Sequence, residues 1–248
     1  MEVRIAHVPG LCAPRRDSGR QVCDPSQKRR FGPRAPDNVG VGDIIFLSER
    51  MADRSRPSPD AARFFFALDC PLSYLAAERV ERALGDVDWI PVLGAECEAH
   101  ARDRMRLAES EAQILQLPLV EPHRFPMDSR KAARAAAFAA DAGVGSTFAL
   151  AVARLAFCGG FDISSDNVIE EAAAVAGLNP AEALAAARDT RLDLRLDATS
   201  RGLRTRGIVS PPAINIAESW FDGADCVLAA VSFSAARARA QTPRLPAS

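Results

Sequence analysis

The sequence predicts an α/β fold in which an all-helical block interrupts a small sheet. Three observations carry the prediction. The run Phe64-Phe-Phe-Ala-Leu68 is too apolar and too β-prone for a loop, and it leads directly into Pro71, a residue that a new helix accepts at its start. From Ser129 to about residue 205, serine or asparagine starts and glycine stops bracket one alanine-rich helical segment after another. Pro211 and Pro212 then stand at the entrance to a second β-prone run, where a proline is tolerated only at the strand's first position.

The elements follow in order. After the first strand, Leu72, Leu75, Ala76, Val80, Ala83 and Leu84 recur at helical spacing until Gly85, and Val87-Asp-Trp-Ile-Pro-Val-Leu93 reads as a second strand. Together they make a βαβ unit. Residues 95 to 124 are polar, and Pro118, Pro122 and Pro126 argue against a long element there. Ser129, Ser146 and Ser165 are candidate N-caps, Gly143, Gly159 and Gly177 candidate stops, and Asn179-Pro180 a cap followed by proline at the first helical position. Four helices are therefore expected over 129 to 205. Strands follow at 207–216 and 218–221, and a helix over 224–239 closes the domain. Strand, helix, strand, helical block, strand, strand, helix describes a thioredoxin-like sheet with an all-helical insertion at about 95–205. The prolines add that Pro212 opens its strand through a cis bond in a tight bend.

Residues 1–61, rich in Pro, Gly, Arg and Asp and without a period of 2 or 3.6, read as a disordered extension ahead of the domain at 62–240, and 241–248 as a disordered tail. Met51, followed by a second polar segment and then the core strand, reads as the natural start. A net charge of −1, with both signs mixed, gives no footprint for nucleic acid or for an anionic membrane surface. No membrane span or secretory signal is apparent, and six cysteines without repeated spacing suit a reducing, cytoplasmic setting better than a disulfide framework. His100 and His123 have no partner at metal spacing.

Chemistry concentrates at Cys70. A cysteine where a strand turns into a helix meets unpaired amides and the positive end of the helix dipole, which favour a thiolate; Asp69 beside it pushes the other way. Ser73 stands where a dithiol enzyme keeps its second cysteine, so the motif is C-x-x-S, a nucleophile without an adjacent resolving thiol. Cys97, Cys158 and Cys226 read as structural, Cys226 being the one near enough to the expected site to resolve a mixed disulfide.

Cys70-Pro-Leu-Ser-Tyr74 and Val209-Ser-Pro-Pro-Ala213, with helices between them, resemble the DsbA-like thioredoxin superfamily. Trp89-Ile-Pro-Val-Leu93, Phe125-Pro-Met-Asp-Ser129 and Trp220-Phe-Asp-Gly-Ala-Asp225 place the resemblance nearest the branch of 2-hydroxychromene-2-carboxylate isomerases and kappa-class glutathione transferases. The resemblance implies a thiol enzyme using glutathione or another low-molecular-weight thiol on a small, hydrophobic substrate, and it allows a homodimer. By position, Cys70 and Ser73 are then catalytic, Pro212 matches the cis-proline of the thiol site, and Asp225 matches the carboxylate that pairs with the glutamyl amine of glutathione. The amides of Ala224 and Asp225 would suit the neighbouring carboxylate. In that branch a serine stands at the Cys70 position, so this chain sets an oxidoreductase nucleophile in an isomerase frame. Pro211 also departs from the pattern: it has no N–H to lend to a bound thiol peptide, a loss of about 1 kcal/mol. The implied activity is an isomerase or transferase reaction. Monothiol disulfide exchange and a non-catalytic binding protein are the alternatives.

Overall fold

The structure, a computed structural model, describes residues 61–94 and 98–241. The expectations for Met51, Cys12, Cys23, Cys97 and residues 242–248 lie outside the described residues. Four strands form one sheet in the order β2-β1-β3-β4. β1 (Ala62–Phe66) runs parallel to β2 (Val87–Pro91), with Phe64 opposite Trp89. It runs antiparallel to β3 (Ala213–Ile216), which pairs antiparallel with β4 (Ser219–Asp222). Helix α1 (Pro71–Leu84) makes the crossover from β1 to β2 and ends at Gly85, whose φ of +80° suits glycine.

The sheet is held by aromatic packing. Phe64 meets Trp89 edge-on at 5.0 Å between ring centroids, and Phe66 meets the same indole at 5.4 Å. Each fully buried ring of this kind contributes roughly 1.5–3 kcal/mol from burial. The β3–β4 turn is fixed from inside by Asn215, whose Nδ2 donates to the carbonyls of Ala217 and Ser219 at 3.0 Å each.

The insertion comprises α2 (Glu98–Leu115), α3 (Arg130–Asp141), α4 (Gly145–Phe157), α5 (Asp166–Val175), α6 (Pro180–Arg188), a 3₁₀ turn at Thr190–Leu192 and α7 (Asp193–Arg204). α8 (Cys226–Gln241) ends the described residues and packs on α1, β3 and β4. Alanine makes the bundle close-packed. Ala132, Ala133, Ala135, Ala136, Ala137 and Ala139 of α3 are all buried, and this helix packs on α4, α6, α7 and β2.

Several expectations change. The polar stretch from 95 contains α2, a long helix, because its apolar stripe is only Ala101, Met105, Ala108 and Ala112 at i, i+4, i+7 and i+11. Pro118, Pro122 and Pro126 lie beyond its end and so do not break it. The expected four helices over 129–205 are five, since Asp189 ends α6, accepting from the Arg191 amide at 3.0 Å, and α7 starts anew. Of the expected caps, Asn179 accepts from the Ala181 amide at 2.9 Å, whereas α4 starts at Gly145 with Val144 as its cap, not at Ser146. Gly160, not Gly159, takes the positive φ that follows α4. The strand expected over 207–216 narrows to Ala213–Ile216. The closing helix starts at Cys226, so Ala224 and Asp225 precede it.

Candidate thiol site

The site forms where β1 ends. The Cys70 amide donates to the Ala67 carbonyl at 3.3 Å and closes a turn, and the Cys70 carbonyl accepts the first bond of α1 from the Tyr74 amide at 3.2 Å. Cys70 is thus the N-cap of α1, with extended backbone, and Pro71 occupies the helix's first turn. Ser73 locks this geometry: its Oγ accepts from the Ala67 amide at 3.2 Å. The hydroxyl is 2% exposed and ties strand end to helix start, while also facing the Cys70 sulfur.

Across from this turn, the Pro211–Pro212 peptide bond is cis, and Pro212 leads into β3. The Cys70 thiol donates to the Pro211 carbonyl at 3.4 Å. Pro211 has no N–H, so the thiol occupies the hydrogen-bonding group that residue can offer. Ala224 and Asp225 follow β4 at the same end of the β3–β4 hairpin as Pro212, where the Gly223 amide donates to the Pro212 carbonyl at 3.1 Å; Asp225 is exposed and its carbonyl accepts from the Ala229 amide in the first turn of α8. No hydrogen bond or ion pair joins either residue to Cys70 or Ser73.

Burial, more than the helix terminus, governs the thiol. Cys70 is 4% exposed, and the loss of water pushes its pKa above the usual thiol range. Arg104 and the hydroxyl and amide of Ser73 pull it back, and Asp69 pushes it up. The sequence expectation of a thiolate favoured by α1 is therefore reversed in the free protein. Asp69 is the second perturbed group. Burial raises its carboxyl from near 3.8 to about 6, against the pull of its own amide, Ser129 and Arg104. Gly94 lies so close that a Cβ there would collide with the Asp69 carboxylate. Cys226, also buried, is pushed up to about 12, mainly by loss of water, so it offers little thiolate for resolving a disulfide near neutral pH.

Other singled-out residues are structural. Tyr74 is buried, stacks on Phe157, and donates to the Pro118 carbonyl at 2.9 Å with Cys158 Sγ 3.2 Å from its hydroxyl. Trp89 donates from Nε1 to Glu81 at 3.0 Å, and Arg206 lies over the Trp220 ring. Among the described residues, no group of three or more His, Cys, Asp or Glu could hold a metal, and no helix is long and apolar enough to cross a membrane. A concavity of about 200 Å³ bounded by Trp89, Asp141, Arg195 and Thr199 lies along β2 and shares no lining residue with the Cys70 site. Sequence reasoning missed Arg104, because nothing in the spacing of α2 points it toward Cys70.

The DSBA-like thioredoxin domain family matches residues 62–229. No curated protein matches the sequence. Among solved structures, a 2-hydroxychromene-2-carboxylate isomerase superposes with a TM-score of 0.58 at 15% identity, covering 73% of this chain and 97% of its own. The cytosolic disulfide reductase DsbM from Pseudomonas aeruginosa gives 0.57 at 19% identity, covering 73% and 99%. The same reductase with GSH gives 0.54 at 19% identity, covering 72% and 99%. These neighbours share the fold, a small mixed sheet with an inserted helical block, and the reading of the chain as a thiol-dependent enzyme accords with the family. The chain belongs to the DSBA-like thioredoxin domain family, whose fold is that of the thiol–disulfide oxidoreductases.

Proposed function

We propose that this chain is a monothiol enzyme in which Cys70 exchanges disulfides with a low-molecular-weight thiol, glutathione being the one found with a fold neighbour. The observation that carries the reading is the pairing of one thiol with a cis-proline loop, Cys70 Sγ to Pro211 O at 3.4 Å, with a hydrogen-bonded serine where a second cysteine would stand. The Cys70 thiolate attacks one sulfur of a disulfide, forms a mixed disulfide and releases the other half as a thiolate. A small thiolate then attacks the substrate sulfur joined to Cys70, restores the Cys70 thiolate and leaves as a mixed disulfide with that substrate half; a second small thiolate attacks that mixed disulfide, forming the oxidised small-thiol disulfide and releasing the substrate half as a thiolate. Ser73 cannot resolve the intermediate, so an external thiol is obligatory. Residues 62–240 serve as the working domain. Cys70, Cys158 and Cys226 are all free, which fits a reducing, cytoplasmic setting.

A second reading, thiol-dependent isomerisation, draws on the likeness in fold to a 2-hydroxychromene-2-carboxylate isomerase and on Val209, an apolar side chain 80% exposed two residues before Pro211. There the thiol adds to an unsaturated carbonyl, the bond rotates and the thiol leaves, with nothing consumed. Turnover of a small disulfide and of a chromene-type acid by the full chain with added glutathione separates the two. Exchange consumes thiol and is abolished by Cys70→Ala, whereas isomerisation leaves the thiol count unchanged. If neither substrate turns over, the fold serves as a binding scaffold and the proposal fails.

A further inference from the structure

We propose that Arg104 is the anion-recognition residue of the Cys70 site, so that the small molecule meeting Cys70 carries a carboxylate or similar negative group close to its reacting atom. This inference rests on the reading of Cys70 as a nucleophile. Three buried side-chain atoms among the described residues have no hydrogen-bond partner: Asp69 Oδ1, Arg104 Nη1 and Arg79 Nε. Asp69 directly precedes Cys70 in the chain, and the Arg104 charge acts on both residues. Arg79 instead acts on the Cys226 thiol.

Arg104 lies on α2, beside the buried Ala101, Met105 and Ala108 stripe, and α2 packs on α1, the helix that Cys70 caps. Its charge reaches both Cys70 and Asp69. Even so, Asp69 Oδ1 and Arg104 Nη1 do not satisfy each other. Elsewhere the bundle pairs its arginines closely: Arg134 grips Asp193 through two bonds of 2.7 Å, and Arg154 grips Glu78 at 2.6 and 2.7 Å. A buried guanidinium N–H left open calls for an acceptor, and a bound anion supplies one.

The cis-proline loop strengthens the case from an independent direction. Pro211 offers no N–H, and its carbonyl is already engaged by the Cys70 thiol. A partner therefore gains little hold through backbone pairing there, and its orientation has to come from another group at the site. Arg104 supplies a fixed donor that suits a carboxylate.

The test uses two alkylating probes of nearly equal size and different charge, iodoacetate and iodoacetamide. The rate at Cys70 is read from its own peptide by mass spectrometry in the full chain. The iodoacetate-to-iodoacetamide ratio in the folded protein, divided by the same ratio in the urea-unfolded chain, cancels the acidity of the thiol. The expected value is roughly tenfold in favour of iodoacetate, falling to about one in Arg104→Gln, as expected for one charge-assisted hydrogen bond. Arg104→Lys, which keeps the charge if Gln disturbs folding, should retain much of the preference. A normalised ratio near one in the unaltered protein overturns the inference, as does a Gln variant that slows both probes equally. In either case, reaction with iodoacetamide leaves the nucleophile reading standing. If Cys70 in the folded chain reacts with neither probe, both readings fall.

Discussion

Asp69→Asn isolates the electrostatic cost of building a carboxyl into the turn that presents Cys70. In the folded chain, burial raises this carboxyl from near 3.8 to about 6. The folded state therefore holds the proton more tightly than the unfolded state does. The resulting stability is complete below about pH 3.8, is lost as pH climbs toward 6, and is gone above that value. A shift of about two units corresponds to about 3 kcal/mol in the ionised range. The asparagine variant has no such loss. Its stability relative to the unaltered chain should therefore climb by up to about 3 kcal/mol between roughly pH 4 and pH 7 and then level off. Urea denaturation of both proteins across that range, with matched slopes, measures the difference. Because the new amide can add a constant offset beside Gly94, the climb with pH is the quantity of interest. A difference that stays flat, or one that turns over near pH 4, would refute the assignment of Asp69 as a carboxyl strained by burial.

Other consequences are accessible to similar measurements. Cys70 alkylation should rise with pH to a midpoint above that of a free thiol, because burial raises its pKa, and Ser73→Ala should move the midpoint higher still; a midpoint below the free value contradicts this. Gly94→Ala should destabilise the fold by about 1–3 kcal/mol, read by urea denaturation, since its Cβ would collide with the Asp69 carboxylate. Arg134→Ala should cost about 3 kcal/mol or more by the same assay, because it leaves Asp193 and the Ala187 carbonyl without their partner in a mostly buried pair. Pro211→Val restores a backbone N–H at the cis-proline loop and should strengthen binding of oxidised glutathione several-fold by calorimetry, a gain of about 1 kcal/mol.

Much of the fold is legible in the sequence because its edges are written in residues with narrow conformational choices. Pro71 and Gly85 bracket α1, Asn179 with Pro180 starts α6, and Pro212 marks the entry to β3. Helix α2 is hidden because three of its four buried positions are alanines, which carry little hydrophobic signal yet fit closely against α1. The separate α7 is hidden for another reason: a single side-chain cap at Asp189, not a glycine or proline, divides it from α6. At the site, the motif C-x-x-S and the double proline locate Cys70, Ser73 and Pro212 on one end of the sheet. What local sequence cannot reveal is the balance of fields on the thiol. The helix terminus is a local feature, whereas the burial that outweighs it comes from tertiary packing, in which the inserted α2 and the distant α8 both pack on α1. Arg104 reaches the site for the same reason, through the packing of α2 on α1 rather than through any spacing to Cys70.

The most direct test of Cys70 as an exchanging thiol is to incubate the folded chain with oxidised glutathione and map mixed disulfides by peptide mass spectrometry, before and after adding reduced glutathione. The proposal predicts a glutathione adduct on Cys70, absent in Cys70→Ser and released by the added thiol while Ser73 stays unmodified. An unmodified Cys70 in the folded chain, or an adduct confined to Cys158, would contradict it.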